Sequence, residues 1–251
     1  MPVRRHRYSW LRMAWIALMQ QKRRRLRLQG PVTAPPQDPS ALGAYAWWRA
    51  DDVAWGEGTP INDWVDRAAG YYALDSVGST MPLVSMTGFN GQPALVFTAT
   101  DWMLCVDFSY EKPMSLFLVV APTNAGTLTN VAQCGMSGVA MRLHMNAPGD
   151  IVLDSYDPGV SISVPGVFGV GERMVIGGTV TATEQRLYYN GAVPPMAQVS
   201  APTLGEVSGM ILSGELSGLT GMVAEVVLFD YALTQAQIDG LQSYFNERYG
   251  L

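Results

Sequence analysis

The sequence predicts an all-β protein built as an antiparallel sandwich. Of its 251 residues, 48% are hydrophobic and 15% are charged, so one large core can be buried. The 26 glycines and 16 prolines are spread along the chain, which favours many short strands joined by turns. From residue 41 onward, apolar runs alternate with turn residues, and a helical pattern is found at the C-terminus. Short strands without intervening helices are typical of a sandwich.

The apolar runs define the predicted strands. Two tight turns are predicted at Asn90-Gly91 and Asn190-Gly191, because both residue types accept the positive φ of hairpin turns. The runs at 139–145 and 150–154 are predicted to be antiparallel neighbours, and so are those at 173–181 and 185–190. The predicted strands are 94–97, 114–121, 139–145, 150–154, 173–181, 185–190 and 221–229.

A helix is predicted at the C-terminus. Thr234 is a suitable N-cap, Gln237 stands at the spacing of a capping box, and Gly250 ends the pattern. The apolar face is expected to pack on the sandwich. That face comprises Ile238, Leu241, Phe245 and Tyr249, and the residues expected to point outward are Asp239, Gln242 and Glu247.

The N-terminus differs in charge from the rest of the chain. Residues 1–30 hold nine cations and no acid, whereas the other 221 residues hold seven cations and 21 acids, a net charge of −14. Apolar residues recur at spacings of three and four, which predicts a basic amphipathic helix. A Pro-rich stretch follows and indicates a stiff spacer. We therefore predict an arm at 1–29, a linker at 30–40 and a sandwich domain at 41–251.

The arm requires a surface to cover its apolar face. We predict docking onto neighbouring protein subunits, with an anionic membrane surface and packaged nucleic acid as alternatives. A membrane span is not expected, because the apolar part is about 12 residues long against the roughly 20 required. A cleaved signal peptide is not expected either, because basic residues follow the apolar part. The residues assigned to docking are Arg4, Arg5, Trp10, Leu11, Trp15, Leu18, Lys22, Arg23, Arg24, Arg25 and Arg27.

Residues 41–251 resemble a known group of modules. The segments that carry the resemblance are Ala46–Asp52, Ile61–Arg67, Pro82–Phe97, Asp101–Leu104, Leu187–Gly191 and Gly221–Thr234. In this order they resemble the LamG-like, concanavalin A-like lectin/glucanase jelly rolls of bacterial surface proteins and tailed-phage virion proteins. The resemblance implies a jelly-roll sandwich. It does not imply an activity, because jelly rolls host unrelated functions.

Catalytic patterns are not found in the sequence. Glucanases of this group carry alternating acids on one strand, which place two carboxylates in one cleft. Here Glu225 and Asp230 are five residues apart and are expected on opposite faces. Asp150 and Asp154 share a face but are interpreted as solvated strand ends. His144 is interpreted as an outward strand residue without a catalytic partner. We therefore predict a protein that is not an enzyme.

Several tryptophans precede or open the predicted sandwich. Trp47 and Trp48 are adjacent and should face opposite sides of a strand, so at least one is expected in the core, as is Trp64. Trp55 and Trp102 are the candidates for exposed rings that bind a glycan.

Four acids near these tryptophans are weak candidates for calcium ligands, because calcium prefers several oxygen ligands. They are Asp51, Asp52, Asp63 and Asp66, and the other interpretation is that they form turns and charged surface. The two cysteines, Cys105 and Cys134, are expected to be buried thiols, with a single disulfide as the alternative. No cofactor is predicted.

These observations together predict a structural or interaction protein of a tailed-phage virion, in the head, neck or tail. The protein would be present in multiple copies, assembled in the host cytoplasm, and fixed to other virion proteins by its arm. A carbohydrate-binding adhesin that contacts host surface glycan is the first alternative function. A polysaccharide hydrolase is the second.

Overall fold

The computed structural model describes most of the predicted sandwich domain. The described residues are 34–53, 55–68, 70, 72–77, 80–110, 114–124, 129–135, 141–146, 149–154, 161–192, 207–214 and 218–251. The predicted arm at 1–29 and its docking residues lie outside them, so the helix and the docking role stay predictions.

Two antiparallel sheets and one α-helix make up this part of the chain. The strands are β1 (Ala46–Arg49), β2 (Asp63–Val65), β3 (Ala73–Ser76), β4 (Leu83–Phe89), β5 (Gln92–Phe97), β6 (Met103–Tyr110), β7 (Met114–Pro122), β8 (Thr129–Cys134), β9 (Met141–Asn146), β10 (Asp150–Asp154), β11 (Ser161–Val164), β12 (Met174–Val180), β13 (Gln185–Tyr189), β14 (Val207–Leu212) and β15 (Gly221–Phe229). The helix, α1, is Gln235–Tyr249.

The strands divide into a seven-stranded and an eight-stranded sheet within the described residues. The first has the order β13-β12-β7-β15-β5-β4, with β1 also pairing with β15. The second has the order β11-β10-β9-β8-β14-β6-β3-β2. The predicted all-β sandwich is thereby confirmed, as are the predicted pairs β9–β10 and β12–β13.

The two predicted turns have the expected backbone. Asn90 and Gly91 have φ values of 49° and 81° and join β4 to β5. Asn190 and Gly191 have φ values of 47° and 75°. A two-residue turn with both residues at positive φ matches the right-handed twist of the strands that it connects.

The central strand β7 shows why one stretch of sequence is apolar on both faces. All nine of its residues are buried. Leu116 and Leu118 lie in the core between the two sheets. Phe117 and Val119 lie in a second core, which α1 covers on the outer face of the seven-stranded sheet. A strand covered on both sides must be apolar at every position.

Helix α1 begins and ends as the sequence predicts. Thr234 forms a capping box with Gln237, and Gly250 adopts the left-handed conformation at φ 64°. The four predicted apolar residues are buried against the sheet. Gln37 contacts the other side of the helix, where its backbone N–H donates to the Gly240 carbonyl oxygen at 3.0 Å. The described fold therefore includes residues of the predicted linker.

The prediction that Gln242 points outward is wrong. Its side chain is buried, because the turn at Gly191 lies over it; a Cβ added to that glycine would come within 2.8 Å of the Gln242 Cγ atom. The side chain amide donates to the Asn246 Oδ1 atom at 2.7 Å, which satisfies one of its polar groups.

The other core predictions agree with the structure. Trp47 and Trp48 are both buried, the first under α1 and the second between the sheets. Trp64 and the thiols of Cys105 and Cys134 are also buried between the sheets. None of the described helices is long and apolar enough to cross a membrane.

Candidate functional site

An open depression of about 350 Å³ lies beside the end of the sandwich where β1 and β2 meet. One wall comes from the segment after β1 and includes Asp52, Val53 and Trp55. The other wall is Asp63–Arg67, which is strand β2 and the two residues after it. A volume of this order is in the range of small-ligand sites.

Strand alternation places the side chains of the second wall. In β2, Asp63 and Val65 are exposed while Trp64 between them is fully buried. The Trp64 Nε1 atom donates to the Arg49 carbonyl oxygen at 3.1 Å. This bond ties β2 to the short 3-10 turn at Ala50–Asp52, which begins the first wall. The two walls are therefore held together by a buried ring.

Asp66 anchors the floor of the depression. Its Oδ1 atom accepts hydrogen bonds from the backbone N–H groups of Trp47 at 2.9 Å and Ala68 at 2.7 Å, and its Oδ2 atom accepts from Gly70 N–H at 3.0 Å. The Arg67 N–H donates to the Trp47 carbonyl oxygen at 2.5 Å. The free edge of β1 is thereby bonded to the end of β2, which joins the two sheets at this point.

Charged groups cross the depression from wall to wall. The Arg67 guanidinium pairs with Asp52 and lies over the Trp47 ring, with its Cζ atom 5.0 Å from the ring centroid. The Asp52 Oδ1 atom also accepts from Arg49 Nη2 at 3.3 Å. Asp63 Oδ1 accepts from the neighbouring Asn62 amide at 2.6 Å. Within the described part of the chain, the second carboxylate oxygens of Asp52 and Asp63 accept no hydrogen bond.

Trp55 provides an exposed aromatic surface in this depression. Its side chain is 56% exposed, whereas Trp47, Trp48 and Trp64 are buried. A flat apolar ring in water, next to hydrogen-bonding groups, can stack on the apolar face of a ligand while the polar groups fix its orientation.

Trp102, the other predicted glycan-binding residue, lies elsewhere. It directly precedes β6, is half-buried, and its carbonyl oxygen accepts from Val77 N–H at 3.3 Å. It does not line the depression. The structure therefore separates the two aromatic candidates, and the glycan-binding role of each stays a prediction.

The four calcium candidates have other partners. Asp51 and Asp52 pair with arginines, and Asp66 accepts from three backbone N–H groups. Asp63 stands on β2 next to Asn62. Among the described residues, no group of three or more His, Cys, Asp or Glu side chains is arranged to hold a metal ion.

A buried carboxyl close to the depression was missed by the sequence analysis. Glu225 interrupts the apolar strand β15 and is fully buried. The pairing of β15 with β7 shifts register between Val223 and Glu225. Regular alternation would return Glu225 to the core that holds Val223, but the bulge at Ala224 turns it to the face of Val119, under α1. The sequence did contain a signal for this site, because Glu225 is the one charged residue in the apolar run Gly221–Phe229.

Three donors surround the Glu225 carboxyl. The Trp47 Nε1 atom donates to Oε1 at 2.6 Å, the Tyr249 hydroxyl donates to Oε2 at 2.5 Å, and the Tyr244 hydroxyl donates to Oε1 at 3.2 Å. Two of these donors are on α1 and one is on β1. The carboxyl of Glu225, on β15, therefore links the helix α1 to β15 and β1 beneath it.

Burial raises the pKa of Glu225 to about 7. The hydrogen bonds from Tyr249 and Trp47, and the positive charges of Arg248 and Arg49, act in the opposite direction and offset part of this effect. The Arg248 Nε atom is 4.0 Å from the Glu225 Oε2 atom. The carboxyl is thus poised to change its charge near neutral pH.

A chain of ion pairs connects this buried carboxyl with the depression. Asp51 pairs with Arg248 of α1 and with Arg49 of β1. Asp52 pairs with Arg49 and with Arg67 on the opposite wall. The depression and the helix therefore share one charged network.

The acids and histidine of β9 and β10 form a separate cluster. His144 lies on the outer face of its sheet, as predicted, but it is only 5% exposed. Its Nδ1 atom is 3.3 Å from the Asp154 Oδ2 atom, which also accepts from Arg142 at 2.6 Å. Burial lowers the pKa of His144. Asp150 accepts from Gly166 N–H at 2.7 Å, so both acids have structural partners.

Comparison with known proteins gives structural similarity alone. No protein-family model matches the sequence, and the search of curated proteins gave no match. Domain 4 of AbnA, an extracellular GH43 arabinanase of Geobacillus stearothermophilus solved with arabinotriose, has a TM-score of 0.62 and 16% identity. The match covers 79% of this chain and 98% of that domain.

Two further solved structures are similar over part of their length. Trypanosoma rangeli sialidase in complex with sialic acid has a TM-score of 0.58 and 13% identity, and the match covers 97% of this chain but 40% of the sialidase. The binding domain of botulinum neurotoxin serotype G has a TM-score of 0.54 and 13% identity, over 79% of this chain and 50% of that one.

The glycosidase neighbours correct one prediction. The lack of a strand with alternating acids predicts that the chain is not an enzyme. Part of a sialidase and a domain of an arabinanase share its fold, so that exclusion is wrong. At these identities the similarity shows the fold alone: the described part of the chain forms an antiparallel β-sandwich.

Proposed function

We propose that this chain binds carbohydrate in the depression beside Trp55. The observation that carries the proposal is the combination of that exposed ring with the acceptor oxygens of Asp52 and Asp63. A sugar has apolar C–H faces and a rim of hydroxyl groups. The ring would stack on one face, and the carboxylates would accept hydrogen bonds from the rim.

The rigid construction of the depression supports this function. Asp66 and the buried Trp64 ring fix both walls before any ligand arrives. Preorganised polar groups lose little conformational entropy on binding, so a small site can still be selective. The fold supports it as well, because the AbnA domain was solved with arabinotriose and the neurotoxin domain is a binding domain.

The test uses two matched tryptophan variants. The full chain, Trp55→Ala and Trp102→Ala are screened on a glycan array, and the glycans that bind are titrated by calorimetry. Trp55→Ala is expected to weaken binding by about 5- to 150-fold, since stacking of a flat ligand face on an aromatic ring contributes about 1–3 kcal/mol. Trp102→Ala should bind as the wild type does. Equal affinity of Trp55→Ala and wild type would place the glycan site elsewhere, and an array without a bound glycan would refute the proposal.

Hydrolysis of the glycan is a second candidate function. Asp63 and Asp75 are directly opposite each other on β2 and β3, and both are exposed. Opposite residues have Cβ atoms about 4.5–5.5 Å apart, which allows the carboxyl separations of roughly 5–10 Å found in glycosidases. Release of reducing ends from a bound glycan, lost in both Asp63→Asn and Asp75→Asn, would support it. A bound glycan that stays intact would refute it.

The arm carries a proposal of its own. We propose that residues 1–29 dock the protein into a larger assembly, a tailed-phage virion, where the sandwich is displayed. Two observations support this proposal. Nine cations are separated from the acidic remainder of the chain, and residues 41–251 resemble the LamG-like jelly rolls of tailed-phage virion proteins. A chain that lacks residues 1–29 should keep the Tm of its sandwich but fail to join particles. Normal copy number of the truncated chain in purified particles would refute docking by the arm.

A further inference from the structure

We infer that the depression beside Trp55 selects uncharged, hydroxyl-rich sugars and rejects acidic ones. The inference rests on the proposed function and adds the class of ligand. It follows from the charges and the hydrogen-bonding capacity of the groups that line the two walls.

The first observation is the balance of charge. Three carboxylates line the depression, those of Asp52, Asp63 and Asp66, against the single guanidinium of Arg67. A sugar with a carboxylate or sulfate group would add a further negative charge beside them. Like charges at such distances repel, and the low-dielectric walls of a depression strengthen the repulsion.

The second observation is that the guanidinium is already engaged. Arg67 pairs with Asp52 and lies 5.0 Å from the centroid of the Trp47 ring. Recognition of a carboxylate usually depends on an arginine that can offer two parallel N–H groups. Here the Arg67 Nη1 atom is already bonded to Asp52, whose negative charge offsets that of the guanidinium, so an acidic sugar gains less from the N–H groups that remain.

The third observation concerns donors and acceptors. An ionised carboxylate accepts hydrogen bonds and cannot donate them. The Oδ2 atoms of Asp52 and Asp63 can therefore form hydrogen bonds only with donor groups of the ligand. Each sugar hydroxyl is a donor, whereas the oxygens of a sugar carboxylate or sulfate are acceptors. The available groups of this site match the hydroxyl rim of an uncharged sugar.

Matched glycan pairs test the inference. The full chain is titrated with lactose and 3′-sialyllactose, with oligogalacturonates and their methyl esters, and with every neutral and acidic pair on the array. In each pair that binds, the uncharged sugar should bind roughly 10-fold tighter than the acidic one, or more. The ratio of the two dissociation constants should decrease as the salt concentration rises. Acidic members that bind equally well or better would overturn the inference while the proposed function stands. If no glycan binds, both the inference and the proposed function are overturned.

A charge variant tests the physical cause. Asp63→Asn keeps the size of the side chain and removes one negative charge from the wall, so it should reduce the preference for the uncharged member of each pair by several-fold. Glu247→Gln changes an exposed acid on α1 and serves as the control, with the preference unchanged. Tm values equal to that of the wild type would show that both variants are folded. A preference that Asp63→Asn leaves intact would overturn the electrostatic explanation.

Discussion

Replacing Glu225 with Gln should remove a loss of stability that the wild type suffers as the pH rises. The carboxyl is fully buried, and burial raises its pKa to about 7 from the ordinary value of 4.5. An acid with a raised folded-state pKa contributes stability that is complete below pH 4.5 and is lost as the pH rises through 7. Gln does not ionise and cannot show this loss.

The size of the effect follows from the two pKa values. One pKa unit corresponds to about 1.4 kcal/mol, so the stability that Glu225 contributes should fall by about 3 kcal/mol between pH 4.5 and pH 8.5. Gln replaces one of the two carboxylate oxygens with an N–H₂ group, which then faces either the Trp47 or the Tyr249 donor and adds a cost of its own. That cost does not depend on pH, so the informative quantity is the change of the variant's relative stability with pH.

Urea denaturation of both proteins across this pH range measures that quantity. The free energy of unfolding of Glu225→Gln, relative to wild type, should rise by about 3 kcal/mol from pH 4.5 to pH 8.5. Glu247→Gln, which replaces an exposed acid on the same helix, should change by less than about 0.5 kcal/mol. If the relative stability of Glu225→Gln is the same at every pH, the burial argument for this carboxyl is wrong.

Three further substitutions test the fold. A Cβ at Gly177 would overlap the Phe117 ring, so Gly177→Ala should lower the free energy of unfolding, measured by urea denaturation, by about 1–3 kcal/mol. Gly56 has open space around it, so Gly56→Ala should leave that free energy almost unchanged. Thr234→Ala removes the N-cap of α1 and should cost about 1 kcal/mol, and an unchanged midpoint would contradict the cap. Asp66→Ala leaves three backbone N–H groups without their acceptor and should cost about 2–4 kcal/mol; a loss below 1 kcal/mol would show that the anchor is dispensable.

The strands with long apolar runs were predictable from the sequence. β7 and β15 are apolar at almost every position because the sandwich core lies on one side and α1 on the other. The capping box and the left-handed Gly250 were equally clear, because both depend on residues that are close together in the sequence.

Short strands and long-range contacts were harder to predict. β2 has three residues and β3 has four, so neither contains enough alternation to be recognised. β14 is interrupted by Gly209, which has a φ of 73° at an irregularity in its pairing with β6. The burial of Gln242 depends on a turn about 50 residues earlier in the chain, which no local pattern contains.

The candidate site was predictable in part. Trp55 was identified as an exposed ring, and the acids around it were identified as a group. Their arrangement was not predicted, because it depends on Asp66 bonding to the edge of β1 and on the ion pair between Arg67 and Asp52. Those contacts join strands of different sheets, and a single sequence without its fold does not specify them.

The bulge at Ala224 makes the length of β15 as important as its composition. If the strand kept all its residues but lost the bulge, strict alternation would bring Glu225 into the space between the sheets, and Val226 would replace it beneath the tyrosines of the helix. The hydroxyl and indole donors would then face a hydrocarbon side chain, and a carboxyl would lie among aliphatic groups. Deleting Ala224 avoids this outcome, because Glu225 would then directly follow Val223 and stay on the side of the helix. A one-residue deletion at this position should therefore leave the buried carboxyl with its donors.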